Sequence, residues 1–170
     1  MLNRRGLLKL ASAIIGGAIT AAMAVPAVRY LVFPVRERIV GGTTGPLAVA
    51  DLHDLPDGTP VRVPVRAPDQ RDAWSRSPLV TLGAVWLLRK GDTVTALSAT
   101  CPHLGCSVDF DAGAGQYRCP CHTSSFALDG ARSTGPAKRG MDPISVKLDG
   151  TRVLVEFRRF TLDIAARVAV

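Results

Sequence analysis

The chain has 170 residues, 47% hydrophobic and 5% aromatic, with a net charge of +7; that is enough for one modest domain and too apolar for disorder throughout. The charge is unevenly divided: residues 1–38 carry six basic side chains against Glu37, a net +5, and residues 39–170 carry fifteen basic against thirteen acidic, a net +2. This excludes a nucleic-acid footprint, which needs Lys and Arg clustered on the folded part; the pairs Lys138-Arg139 and Arg158-Arg159 are too few, and read as a solvated face.

At the amino terminus, residues 1–9 include Asn3-Arg-Arg-Gly-Leu-Leu-Lys9, two arginines and a lysine before an apolar run, which is similar to a twin-arginine export signal. Leu10 to Val28 follows, 19 residues without a charge between Lys9 and Arg29. As a helix it would reach about 28 Å, close to the ~30 Å hydrocarbon core of a bilayer. Tyr30 and Phe33 beyond it suit the interface. We therefore expect a single transmembrane anchor over 10–33, retained although Ala22-Met-Ala24 offers a small-x-small cleavage site. Three basic residues flank each side of the span, so charge bias does not orient it. The export signal does: amino terminus in the cytoplasm, domain on the external, periplasmic side of a bacterial inner membrane.

Residues 34–46 end in Gly41-Gly-Thr-Thr-Gly-Pro46, read as a flexible tether or hinge of about 13 Å r.m.s. span. Short strands follow. Val61-Arg-Val-Pro-Val-Arg66 alternates apolar and charged residues, and Pro64 restricts it to a sheet edge. Ala67–Pro78, polar and containing Trp74, predicts a loop. Ala84–Lys90, Gly91-Asp92 and Thr93–Leu97 make a hairpin pattern, and Ile144–Leu148, Asp149-Gly150 and Thr151–Phe157 a second one. The implied architecture is a small antiparallel β domain over 47–160. Residues 161–170 are a tail without an assignment.

Two blocks sit in the loops. Cys101-Pro-His-Leu-Gly-Cys106 and Cys119-Pro-Cys-His122 hold all four cysteines and two of the three histidines. His53, the third, lies among Asp51, Leu52 and Asp54 and reads as a surface residue. Three readings of the blocks compete. A four-cysteine disulfide scaffold suits an exported chain but leaves two histidines beside the thiols to chance. Structural zinc needs four donors, not six, and rarely takes Cys-x-His spacing. A two-iron, two-sulfide cluster with cysteines on one iron and histidines on the other would take one Cys and one His from each block.

The sequence CPHLGC with CPCHTS resembles the Rieske iron–sulfur family, whose boxes read C-x-H-x-G-C and C-P-C-H-x-S. The resemblance implies an all-β fold, a Rieske-type antiparallel β-sandwich with a cluster-binding part at about 99–138, behind one N-terminal transmembrane helix. It implies one Rieske 2Fe-2S cluster held by Cys101 and Cys119 on one iron and His103 and His122 on the other. Cys106 and Cys121 would form a disulfide joining the two loops, and Ser124 would hydrogen-bond a cluster sulfur. Leu104 would be exposed at the tip for docking. The two extra cysteines favour the cytochrome bc branch over ferredoxins and ring-hydroxylating dioxygenases. In that branch the subunit is the electron-transfer part of a quinol–cytochrome c oxidoreductase. It takes an electron with a proton, through its histidines, from a quinol bound at a cytochrome b subunit and passes the electron to a c-type cytochrome.

The chain departs from the family pattern at three places. Gly135-Pro-Ala137 resembles the start of its proline loop, but Lys138-Arg-Gly140 replaces the proline-rich continuation. Thr123 replaces the commoner glycine. Phe126 stands where high-potential members carry tyrosine, which predicts a lowered potential suited to menaquinol. Two other functions are weighed: the small Rieske subunit of an arsenite-oxidase-like molybdoenzyme, and a metal-free, disulfide-bonded periplasmic binding domain.

Overall fold

The structure is a computed structural model describing residues 3–36, 45–71 and 76–170. Most of the expected tether, residues 37–44, and Trp74 lie outside these. The chain forms two compact units, a helix and a β unit.

Helix α1 spans Arg4–Arg36. Asn3 caps it: its side-chain oxygen accepts from the Gly6 N–H at 2.8 Å, satisfying one of the orphan donors of the first turn. Residues 4–32 are long and apolar enough to cross a membrane. Leu10, Ile14, Ile15, Ile19 and Met23 are all exposed, which suits a lipid environment and no aqueous one.

The β unit begins with β1 (Leu47–Asp51) and a short 3-10 turn at Leu52–Asp54 that carries the exposed His53. Next come β2 (Val61–Arg71), β3 (Arg76–Lys90), β4 (Thr93–Ser98), β5 (Asp109–Asp111), β6 (Gln116–Arg118), β7 (Ser125–Phe126), β8 (Arg132–Thr134), β9 (Pro143–Asp149) and β10 (Arg152–Glu156). Six strands form one sheet in the order β1-β10-β9-β4-β3-β2, and four form a second in the order β5-β6-β7-β8. The pairs β1–β10, β10–β9, β9–β4 and β4–β3 are antiparallel, as are all three pairs of the smaller sheet.

Pro64 lies on the edge strand β2, as its missing N–H requires. The loop predicted over Ala67–Pro78 is shorter than expected, because β2 runs on to Arg71 and β3 starts at Arg76. Val65 and Ala67 are both fully buried, so the period-2 pattern continues one step further on a side chain too small to advertise it. The first hairpin turns at Gly91-Asp92, with Lys90 paired to Thr93. The second is displaced by one residue from the prediction. Asp149 pairs with Arg152, so the loop is Gly150-Thr151. In both hairpins glycine leads with φ near +60°, the position a type II′ turn reserves for it.

The central hairpin β3–β4 serves two cores. Val85, Leu87 and Ala96 face one with Leu55, Val65, Ile144, Val153 and Val155. Trp86 and Leu97, pointing the opposite way, face another with Cys101, Val108, Tyr117, Cys119, Phe126, Ala137 and Met141. Each fully buried aliphatic side chain contributes about 1.5–3 kcal/mol, so the first core stabilises the hairpin whose other face carries the second core, with its two cysteines. The unassigned tail is ordered. Phe160 bridges Ala169, the Thr161 N–H donates to the Val168 carbonyl at 2.9 Å, and the Val170 N–H donates to the Arg159 carbonyl at 3.0 Å.

Candidate metal centre

The two cysteine blocks form two loops closed the same way. In the first, between β4 and β5, the Cys101 N–H donates to the Cys106 carbonyl at 2.7 Å. In the second, between β6 and β7, the Cys119 N–H donates to the Ser124 carbonyl at 2.8 Å. Each loop thus starts at a cysteine, closes on the fifth residue beyond it, and lifts a histidine from its middle. Gly105 turns the first loop with φ +83°, a conformation most side chains avoid.

A disulfide joins Cys106 to Cys121 across the loops, with 6.6 Å between Cα atoms. Its sulfurs lie within 4.8 Å of the Cys119 sulfur. Cys101 and Cys119 are unbridged and buried, 1% and 3% exposed. Burial pushes the Cys101 thiol up to about 11; the nearby backbone N–H groups of His103 and Leu104 pull the other way, and the adjacent Cys119 thiol adds to the rise. The His103 and His122 rings meet edge to face, with centroids 4.9 Å apart. His103 is half-buried and His122 exposed. Leu104 between the loops' histidine and glycine is 56% exposed.

A metal group can be tested against this donor set. The Nδ1 atom of His103 is buried and finds no hydrogen-bond partner among the described residues. A polar atom so placed costs free energy unless something else occupies its lone pair. Two neighbouring unbridged thiols deep in an apolar core raise the same demand, since a cation beside them would hold them as thiolates. The residues fit a metal group. Two thiols and two imidazoles suit zinc and an iron–sulfur centre alike.

Ser124 is 1% exposed. Its hydroxyl oxygen accepts from the Ala137 N–H at 3.2 Å, which leaves its own proton free to donate. Gly135 presses against it at φ +90°; a Cβ there would come within 2.4 Å of the Ser124 Cα. The segment Gly135-Pro-Ala137 is therefore packed on the second loop, and only glycine fits at its start. Phe126 is fully buried and pairs across the strands with Tyr117. The Tyr117 ring stacks at a tilt on Trp86 and Phe110, 5.5 and 5.3 Å away, and burial pushes its phenol up to about 12.

Of the pair Lys138-Arg139, Lys138 is exposed as expected, but Arg139 departs from the solvated face. Arg139 is 6% exposed. Its Nε and Nη2 donate to the two carboxylate oxygens of Asp142 at 2.8 and 2.7 Å, and its Nη1 donates to the Ile164 carbonyl at 2.7 Å. A guanidinium can be buried when all three of its sides are satisfied in this way. The sequence signal was an i,i+3 pair of opposite charges, which is common on surfaces and carried no warning of burial.

Comparisons with known proteins separate zinc from iron–sulfur. The family model described as the Rieske [2Fe-2S] domain matches residues 45–155. The cytochrome b6-f complex iron–sulfur subunit of Chlorobaculum tepidum is 30% identical over 154 residues, covering 90% of this chain and 75% of that protein. The menaquinol:cytochrome c reductase iron–sulfur subunit of Bacillus subtilis is 30% identical over 137 residues, covering 79% of this chain and 78% of that protein. Among solved structures, the plasma-membrane Rieske protein of Synechocystis PCC 6803 is similar at 26% identity and a TM-score of 0.44, covering 67% of this chain and all of that one.

Proposed function

The chain belongs to the Rieske 2Fe-2S family, and from that premise we propose that it is the membrane-anchored iron–sulfur subunit of a quinol–cytochrome c reductase. One observation carries the reading: two loops of identical closure hold two buried free thiols in one core and two imidazoles edge to face, and are tied by a disulfide. The names of the relatives, iron–sulfur subunits of a cytochrome b6-f complex and of a menaquinol:cytochrome c reductase, support it over the molybdoenzyme alternative.

Cys101, Cys119, His103 and His122 would hold the cluster, with the inward Nδ1 of His103 among the donors. When bound, the 2Fe-2S group supplies one-electron transfer, at a potential raised because neutral imidazoles replace two thiolates. The chain's residues do the rest. With Nδ1 turned inward, Nε2 of His103 is left to hold or release the proton that accompanies the electron, and the exposed His122 offers its outer nitrogen in the same way. Exposed Leu104 beside them is the contact surface for a cytochrome b subunit. The Ser124 hydroxyl proton is free to stabilise negative charge on a sulfur. The Cys106–Cys121 bond holds the loops in one arrangement without using a ligand.

Residues 1–9 direct export as a twin-arginine signal, α1 stays as the anchor, and the domain faces the external side, where a c-type cytochrome accepts the electron. The buried Phe126 supplies no hydroxyl, which favours a low-potential quinol such as menaquinol. Co-purification tests the assignment: the detergent-solubilised protein should carry two irons and two acid-labile sulfides and bring down a b-type cytochrome. A molybdopterin subunit in its place would favour the alternative, and a chain without iron would leave the metal-free binding domain.

A further inference from the structure

We propose that the C-terminal segment Thr161–Val170 is a strap that positions the first ligand loop, acting through the backbone of Asp163 and anchored by Arg139. The inference rests on the reading of Cys101 and His103 as ligands. Two features with no role so far, the tail and the basic pair Lys138-Arg139, are two halves of one device.

Three consecutive strap residues engage the centre. Leu162 lies over Gly105: a Cβ there would stand 3.1 Å from the Leu162 Cδ1. Asp163 donates its backbone N–H to the Pro102 carbonyl at 2.9 Å. Ile164 offers its carbonyl to Arg139, which Asp142 grips from the other side. Lys138 reaches the Asp163 carboxylate at 3.2 Å, and Arg167 comes within 3.6 Å of Asp142. The Phe160–Ala169 bridge closes the segment at its base.

The contact at Pro102 is the consequential one. Its carbonyl belongs to the peptide bond that joins Pro102 to His103. The strap therefore holds, by its oxygen, the peptide that lies between the two ligands Cys101 and His103. If that peptide rotates, the direction of the His103 side chain and of the peptide dipole beside Cys101 change together. The polar groups around the ligands are among the determinants of cluster potential. Asp163 presents its N–H this way by adopting φ +54°, a left-handed conformation that Asp, Asn and Gly adopt at less cost than β-branched residues. Its exposed ion pair with Lys138 contributes little by comparison.

The test uses the full-length holoprotein in detergent micelles, read by amide hydrogen exchange and redox titration. Asp163→Val should turn the N–H away. Exchange over residues 101–106 should rise about fivefold, the effect of one net hydrogen bond, while amides of Val85, Leu87 and Val153 keep their protection, and the midpoint potential should fall. Asp163→Gly keeps the backbone conformation without the carboxylate and should behave as wild type. Deleting Thr161–Val170 should reproduce the valine variant. The strap is overturned if Asp163→Val and the deletion leave loop exchange and potential unchanged, if sheet amides lose protection in step with the loop, or if Asp163→Gly matches Asp163→Val. Iron and sulfide content in the unaltered protein reports separately on the ligand reading.

Discussion

Thr123 holds φ at +59° beside His122, where a β-branched residue is strained by roughly 1–2 kcal/mol. Its hydroxyl donates to the His122 carbonyl at 2.7 Å, a local bond that recovers part of that strain. Glycine needs no compensation there, although it loses more chain entropy on folding. Thr123→Gly should therefore stabilise the folded domain by about 0.5–1 kcal/mol, seen as a higher midpoint in thermal or denaturant unfolding; a lower midpoint would show that the hydroxyl contact outweighs the strain. Phe126, in β7 just beyond this loop, is the other informative residue. It is fully buried, opposite Tyr117 and in the same core as Cys101 and Cys119. A hydroxyl placed there must find a partner or cost about 1–3 kcal/mol. If the partner is a cluster sulfur, Phe126→Tyr raises the midpoint potential, by about 59 mV for each tenfold preference for the reduced state. Redox titration decides, and an unchanged or lower potential counts against this account of the low-potential quinol.

The elements divide into those that announce themselves and those that do not. The two hairpins were legible because alternating strands flank a glycine turn, although the Asp149-Gly150 pattern misplaced the second turn by one residue. The end of β2 was not legible, since Ala67 carries too little apolar surface to extend the alternation. The site loops were the most legible part, because thiols and imidazoles are rare and their spacing is itself the signal. The strap was invisible for a definite reason: it bonds through the Pro102 carbonyl, the Asp163 N–H and the Ile164 carbonyl, groups every residue possesses. Arg139 needed a carboxylate and a backbone carbonyl brought in from Asp142 and Ile164, which only the folded chain supplies. Between the two ligand loops the one covalent link is Cys106–Cys121, closing a segment with a sequence separation of 15. Such a closure is worth about 3 kcal/mol when it constrains the unfolded chain. Replacing both cysteines by alanine should cost about that much and hasten cluster loss to an iron chelator, followed by the decay of visible absorbance. If the double variant keeps its cluster as long as wild type, the hydrogen bonds that close each loop suffice alone.

At the scale of the molecule, the charge and the apolar surface are both concentrated at one end. The anchor holds the flanking basic residues, while the β unit carries little net charge of its own and a tip of Leu104, His103 and His122. On the proposed function a quinol and a c-type cytochrome both meet that tip, and a domain held rigidly at the membrane would meet one partner well and the other badly. We propose from composition alone that residues 41–46, which hold three glycines and one proline and of which 41–44 lie outside the described residues, act as the tether. Stiffening it should separate reach from chemistry. With Gly41→Pro and Gly42→Pro together, the assembled membrane complex should keep its iron content and midpoint potential, because both are set more than fifty residues away. Steady-state cytochrome c reduction should fall about tenfold or more, since motion of a tethered domain then limits turnover. Comparing single-turnover reduction of the cluster, followed by its low-temperature magnetic signal, with steady-state cytochrome reduction locates the defect. A complex that reduces its cluster at the wild-type rate but delivers electrons slowly has lost the swing; one that turns over as wild type shows that this segment is a spacer and that the tip reaches both partners without it.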